Sequence, residues 1–461
     1  MWLLFELLLV LGKVVCMGTV ITHLSALIIF MWKERRLRRQ IKVEGFVHPD
    51  FKPVLEAFKK NLHKGWERDG AAFTVYYKER LVVDVWGGFA DYESWRPWRS
   101  DTMSIAFSSS KAVGAICVAM LVDRGLITYE DKVESFWPKF ATSGKEEITV
   151  KMIMEHTAGL PLIEHKITIE EAMDPEAMAS LFEAQRPIWK PGTRVGYHAL
   201  TYGWLVDLII RKVDPQHRGI GQFFKEEISI PHDIDFHFGL PIEMTHRVSR
   251  IRKPSVWNRL DEWLADPETV DYGSVLKNFL TNGLMLRVAD NAGWLQSIFR
   301  VTLNNPELYR LEQCAALGIG TARSLARLML LYSRGHLVSK SIVELTSTPT
   351  IIKKKDCVTN AITDRGWGFT HSTYPHKKGA SMLIGHSGFG GQNARYDCEN
   401  DISFAYLSNG LKSGLGDRAR PYVHLLRALY SSIPEQNNNN NNNGIYHMDT
   451  MMVSEDDHLM E

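Results

Sequence analysis

The sequence predicts an α+β fold, an α/β sandwich in which N- and C-terminal strands build one antiparallel sheet flanked by helices, beside a mostly helical second region. Three observations carry this. Strand patterns gather near the two ends of the folded region, at Phe73–Tyr77 and Leu81–Trp86 and again at Met382–Ile384, Gln392–Tyr396 and Ile402–Leu407. Apolar residues at helical spacing dominate the stretch between. Strands that cluster apart from helices pack as α+β layers rather than as alternating βαβ units.

Taken in order, the 461 residues begin with an apolar segment, residues 1–32, broken by Glu6 and Lys13. From Val14 to Trp32 run 19 residues without Asp, Glu, Lys or Arg, just enough at 1.5 Å per residue to span a hydrocarbon core of about 30 Å. A basic linker, residues 33–44, follows with Lys33, Arg35, Arg36, Arg38 and Arg39. The positive-inside rule then places the rest of the chain on the cytoplasmic side of a single membrane anchor. Signal peptides carry their basic residues before the apolar stretch and mitochondrial presequences are amphipathic and Arg-rich, so secretory and mitochondrial targeting are the weaker alternatives.

The folded region, residues 45–433, opens with a helix expected over Phe51–His63. A hairpin follows, turned by Lys78-Glu79-Arg80, with Gly87-Gly88 ending its second strand. The short run Ser104–Phe107 leads into a helix from Ser108 to Gly125. Further helices are expected at Ala199–Lys212, Thr321–Tyr332 and Arg418–Tyr430. Residues 434–461 are expected to be a disordered tail, because Asn437–Asn443 and five acids without a base offer too little apolar area to offset ordering entropy.

Composition narrows the function classes. With 45% apolar and 23% charged residues the chain is neither collagen-like, wholly disordered nor a many-pass membrane protein. Its 54 basic against 53 acidic residues give no field for gripping nucleic acid. The balance is a sum of unlike parts: six bases and one acid at residues 33–42, five acids after Asn443. Cys16, Cys117, Cys314, Cys357 and Cys398 are scattered and lack a CxxC pair, which suits free thiols in a reducing compartment better than a disulfide framework or a zinc module. His156, His165, His198 and His386 form no H-E-x-x-H helix, so no metal site is expected.

The most specific local feature is Ser108-Ser109-Ser110-Lys111 at a helix start. Residues three apart share a helix face, so the Ser108 hydroxyl and the Lys111 amine can meet. Burial and the positive end of a helix dipole both disfavour an ammonium, leaving a general base beside a nucleophile. Serines at helix starts are also ordinary N-caps, so the motif needs company. It has three companions: Tyr197-His198-Ala199 after a Pro-Gly turn, the loop Met154–Pro161, and Gly385-His386-Ser387-Gly388-Phe389-Gly390-Gly391, whose glycines imply close backbone approach.

In this order the pieces resemble the serine β-lactamase and penicillin-binding-protein superfamily, and within it the β-lactamase-related, class C-like esterases, including the animal β-lactamase-like proteins. The family's S-x-x-K falls on Ser108 and Lys111, its Y-x-N on Tyr197 and Ala199, and its K-T-G or H-x-G on His386, Ser387 and Gly388. His156–Leu160 is similar to its H-T-S-G-L, and Gly318–Arg327 to one of its helix starts. The resemblance covers about residues 45–433 and implies a β-lactamase/transpeptidase-like fold. It also implies a serine hydrolase acting through an acyl-enzyme on a small-molecule ester or other acyl substrate, with no cofactor. Catalysis then falls to Ser108, Lys111 and Tyr197, the oxyanion hole to backbone N–H groups of Ser108 and Phe389, and substrate binding to His386, Ser387 and Gly388.

Two departures bear on the substrate. Ala199 removes the amide that holds an acylamino side chain, and His386 replaces a lysine with a weaker cation. Both favour an ester or an uncharged acyl substrate. A peptidase or amidase of the same fold, and a catalytically silent membrane-tethered scaffold, are the alternatives. An α/β-hydrolase elbow at Gly385–Phe389 fails because Phe389 stands where G-x-S-x-G needs glycine. The stretch Trp86–Trp98, with Trp95 and Trp98 beside Arg96 and Arg99, reads as packing or cation–π pairing, or else as an acyl pocket or lipid contact. Arg250–Asn305 matches no family motif, which leaves it free to cap the site and select the substrate.

Overall fold

The structure is a computed structural model, described here over residues 2–39, 41–296, 300–373, 381–414, 416–433 and 451–453. Its principal helices are α1 (Trp2–Arg39), α2 (Lys52–His63), α3 (Ser110–Asp123), α4 (Thr201–Val213), α5 (Val256–Ala265), α6 (Tyr272–Leu280), α7 (Leu284–Ala289), α8 (Ala322–Ser333) and α9 (Arg420–Ser432). The main strands are β1 (Val43–Val47), β2 (Gly70–Tyr77), β3 (Arg80–Asp91), β4 (Asp364–Gly366), β5 (Phe369–Thr373), β6 (Met382–Ser387), β7 (Asn393–Asp397), β8 (Ile402–Ser408) and β9 (Met451–Val453).

They form one antiparallel sheet in the order β9-β1-β3-β2-β8-β7-β6-β5-β4. N-terminal β2 lies beside C-terminal β8, with Val75 opposite Phe404, so the two ends of the folded region do build one sheet. Because side chains alternate along a strand, β2 feeds two cores. Phe73 and Val75 join Phe58 and Leu62 of α2 and Leu425 and Leu429 of α9 on one face. On the other face Thr74 donates to Asp84 at 2.8 Å, and Asp84 accepts from Arg323 of α8 at 2.7 Å.

Several expectations shift at their edges. β3 runs through Gly87-Gly88 to Asp91, because both glycines stay paired, with Ala71 and Gly70. The chain joins the sheet at Val43, inside the stretch read as linker. β4 and β5 were not expected, being short and polar. Within the tail expected to be disordered, Met451–Val453 pairs with β1, an apolar triplet meeting the open backbone of an edge strand; residues 434–450 and 454–461 lie outside the described residues. In the tryptophan stretch Trp98 is buried, and Arg96 donates to the carbonyls of His246 and Val248.

Helix α3 is apolar on every side, with each residue from Ser110 to Leu121 buried. Such a helix belongs in a core, and it carries Lys111 there with it. A small sheet fixes its approach: Ser104–Ile105 pairs with Ile319–Gly320, which pairs with Phe236–His237. The Ala106 N–H donates to the Gly318 carbonyl at 2.8 Å, drawing residues 313–320 against the start of α3.

Candidate active site

Ser108 lies in a single 3-10 turn, Phe107–Ser109, and the α-helix proper begins two residues later at Ser110. Phe107 holds a positive φ of 47°, a costly conformation for an aromatic residue, immediately before the half-buried Ser108. The Lys111 Nζ stands 3.4 Å from Ser108 Oγ and donates to the carbonyls of Ala199 and Ala315, each at 2.9 Å. Complete burial lowers Lys111 from its ordinary value to about 7. At neutral pH a large fraction is therefore free amine. Its two N–H bonds fit the two carbonyls, and its lone pair is left for Ser108.

Tyr197 donates its phenol O–H to Ser108 Oγ at 2.8 Å, and its ring centroid is 4.7 Å from Lys111 Nζ. Burial pushes the phenol well above its ordinary value, so Tyr197 rests as a phenol.

The loop carrying Tyr197 is held from both sides. Its N–H donates to Asp356 Oδ1 at 3.1 Å; the same oxygen accepts from Val358 and Thr359, and Arg365 pairs with Oδ2 at 3.2 Å. Opposite, the loop after Met154 places the His156 ring edge-on to Tyr197 with centroids 4.9 Å apart. His198 locks that loop by donating from Nδ1 to Gly196 and accepting the Leu160 N–H at Nε2. Burial lowers His198 to about 3, so it serves as a neutral structural imidazole. Among the described residues no cluster of His, Cys, Asp and Glu could hold a metal ion.

The third motif closes the site. His386 and Ser387 finish β6, and a Cβ on Gly388 would stand 2.5 Å from the Ala106 carbonyl, so only glycine permits this approach. Phe389 follows, its ring 5.8 Å from that of Phe107, the residue before Ser108. His386 is buried, with its ring centroid 6.2 Å from that of Tyr197. Burial, then the nearby Lys111, holds it well below the ordinary imidazole range. Nδ1 bonds the Ser387 carbonyl at 2.6 Å, leaving Nε2 as an acceptor without a partner among the described residues. The position that the sequence reads as a weak cation is thus neutral.

Sequence reading missed Asp356, Arg365 and the Ala315 carbonyl. Ala315 reaches Lys111 because α4 crosses the 313–315 segment at Gly203, where a Cβ would sit 2.8 Å from the Ala315 nitrogen and 1.4 Å from Gln313 Oε1. Gly203→Ala is therefore expected to lower stability by about 1–3 kcal/mol and to depress turnover, because the Ala315 carbonyl shifts off Lys111. Urea unfolding and ester kinetics on the same sample test this; an unchanged midpoint with full turnover would contradict it.

An antiparallel sheet flanked by helices, with a serine at a helix start facing a buried free amine and a phenol, defines the serine hydrolases that work through an acyl-enzyme. Residues 58–429 match the model of the Beta-lactamase family, and the chain belongs to that family. It is 30% identical over 390 residues to the esterase/beta-lactamase LipL of Mycobacterium tuberculosis (strain ATCC 25618 / H37Rv), covering 81% of this chain and 84% of LipL. Among solved structures, a family VIII carboxylesterase superposes with a TM-score of 0.72 at 26% identity, over 85% of this chain and all of that one. A penicillin-binding protein homolog from Caulobacter crescentus gives 0.70 at 29% identity, with the same coverage.

Proposed function

We propose that this hydrolase cleaves uncharged acyl esters with Ser108 as nucleophile, Lys111 as resting base and Tyr197 as proton carrier. The observation that carries the reading is the Lys111 amine, bound to two carbonyls and aimed at Ser108. Ser108 Oγ attacks the ester carbonyl while its proton passes to Lys111 Nζ. Backbone N–H groups of Ser108 and Phe389 receive the oxyanion, lowering the barrier by a few kcal/mol. As the carbon–oxygen bond breaks, Tyr197 gives its proton to the leaving alkoxide and regains one from Lys111. Water then attacks the acyl-serine by the reverse route. Neutral His386 and the methyl of Ala199 line the acyl side without a cation or amide, which supports an uncharged substrate.

The esterase half of LipL's name and the carboxylesterase neighbour support ester chemistry. A fluorophosphonate probe added to the full chain is expected to form one adduct, found by mass spectrometry on the peptide bearing Ser108. An adduct on another residue would move the nucleophile away from Ser108, and no adduct at all would favour the silent-scaffold alternative.

The anchor belongs to the same proposal. Helix α1 contains one stretch, Val10–Ile29, long and apolar enough to cross a membrane, followed by the basic residues of its last turns. We assign it as a membrane anchor with residues 45–433 as a cytoplasmic catalytic domain. Fusion of residues 1–45 to a soluble reporter is expected to carry the reporter into membranes and leave it protected from external protease; a soluble reporter overturns the anchor.

A further inference from the structure

The stretch Arg250–Asn305 carries helices α5, α6 and α7, and two of them are built inside out. A helix on a soluble domain turns its apolar stripe inward. In α5 the inward residue is Glu262, which pairs with Arg68 at 2.5 Å and accepts the Ser413 N–H at 2.6 Å. In α6 the less exposed positions are Ser274 and Asn278. Trp257, Leu260 and Leu264 of α5 and Leu276, Phe279 and Leu280 of α6 instead face outward, all 42–78% exposed. Neither helix has a buried residue. Large apolar side chains left exposed in such numbers on neighbouring segments of the chain mark an interaction face.

Two further observations identify what the face meets. The first is its continuity with the site. Helix α7 follows α6 after Thr281–Gly283, and its Leu284 and Val288 pack with Leu162 and Val358 against Tyr197 and Ala199. A packed apolar cluster thus joins α7, which follows the outer helices, to the catalytic phenol and to the position where the family's asparagine is missing. The second is the place where the anchor enters. Val43, the first residue of β1, pairs with Gly87, which pairs with Ala71. At about 4.8 Å per strand, Val43 is roughly 10 Å from Ala71. Two and three residues before Ala71 stand Asp69, which pairs with Arg252, and Arg68, which holds Glu262 of α5. Helix α5 is therefore tied to the same end of the sheet at which the chain arrives from α1.

We propose that α5–α7 form a lipid-docking cap. Its outer face lies in the interface of the bilayer that holds α1, as amphipathic interfacial helices do, and the substrate is a long-chain acyl ester dissolved in that bilayer. The ester bond breaks at Ser108, whose proton passes to Lys111; the acyl group passes to Ser108 Oγ, and the alcohol leaves with the proton carried by Tyr197. This rests on the hydrolase and anchor readings above, and deepens them by naming the substrate class.

The test uses the full chain in phosphatidylcholine vesicles, with 4-methylumbelliferyl oleate in the bilayer and p-nitrophenyl acetate in the water. In the Trp257→Ser, Phe279→Ser, Leu280→Ser triple variant, oleate turnover is expected to fall at least tenfold while acetate turnover stays within twofold. Equal effects on both substrates, or on neither, overturn the cap. Benzoylphenylalanine in place of Phe279 is expected to photocrosslink to phosphatidylcholine; a crosslink to a second copy of the chain, or none to lipid, overturns the bilayer as occupant. If the unaltered chain hydrolyses neither ester while position 279 still crosslinks lipid, the hydrolase reading fails together with the substrate assignment, and the docking face stands.

Discussion

Ser108→Ala is expected to lower kcat for p-nitrophenyl acetate by at least about a thousandfold, the scale on which removing an acyl-enzyme nucleophile acts when the remaining groups work as a unit. KM should change little, because Ser108 Oγ meets the reacting carbon and does not grip the acyl chain. The fold should tolerate the change. Ser108 is half-buried in its 3-10 turn, and among the described residues its hydroxyl bonds only Lys111 and Tyr197. Thermal unfolding of the variant is therefore expected within a few degrees of the original, and fluorophosphonate labelling should vanish with turnover. Turnover that persists above about one part in ten would mean that another residue attacks the ester. The strained φ of Phe107 makes a companion point: an alanine at 108 leaves that strain in place, so lost activity cannot be ascribed to relaxation of the turn.

The parts legible in the sequence are those whose chemistry is local. Ser108 and Lys111 face each other because a helical turn puts them there, and Gly388 announces a close approach because a side chain is missing. Hairpin β2–β3 was readable from β-branched and aromatic residues, and β8 from a continuous apolar run. What stayed hidden depends on partners far along the chain. The Ala315 carbonyl is a backbone atom 204 residues from Lys111 that no side-chain pattern marks. Asp356 follows three lysines and reads as an ordinary loop residue until Arg365 and the Tyr197 N–H close around it. That His386 is a weaker cation than the lysine it replaces is readable; that it is neutral is not, because burial of that ring comes from the whole site. Helices α5 and α6 have the apolar spacing of core helices, and only the structure reveals that this spacing faces outward.

Lys111→Met is expected to match Ser108→Ala in turnover, at least about a thousandfold down, but to act on stability in a way that exposes the amine's state. The free amine is the base, so kcat/KM of the unaltered chain should fall as pH drops through about 7, the value to which burial lowers Lys111. The same shift enters stability. In the unfolded chain the amine keeps its proton up to 10.5, whereas in the folded chain it releases it above about 7. Between those values the unfolded state binds more protons, so the amine's contribution becomes more favourable to folding as pH rises, and below pH 7 its full cost is present, about 5 kcal/mol. Methionine fills a similar volume and does not titrate. Urea unfolding of the two proteins at pH 7.0 and 9.5 should therefore show the lysine form gaining about 3 kcal/mol on the methionine form across that interval. At pH 7.0 the methionine form is expected to be no less stable, since the charge it removes outweighs the two carbonyl bonds it forfeits. A constant difference between the two pH values would mean that Lys111 titrates alike in the folded and unfolded chains. An amine so unshifted would be an ammonium at neutral pH, with all three N–H bonds engaged and no lone pair for Ser108, and Tyr197 would have to be the base despite its raised phenol.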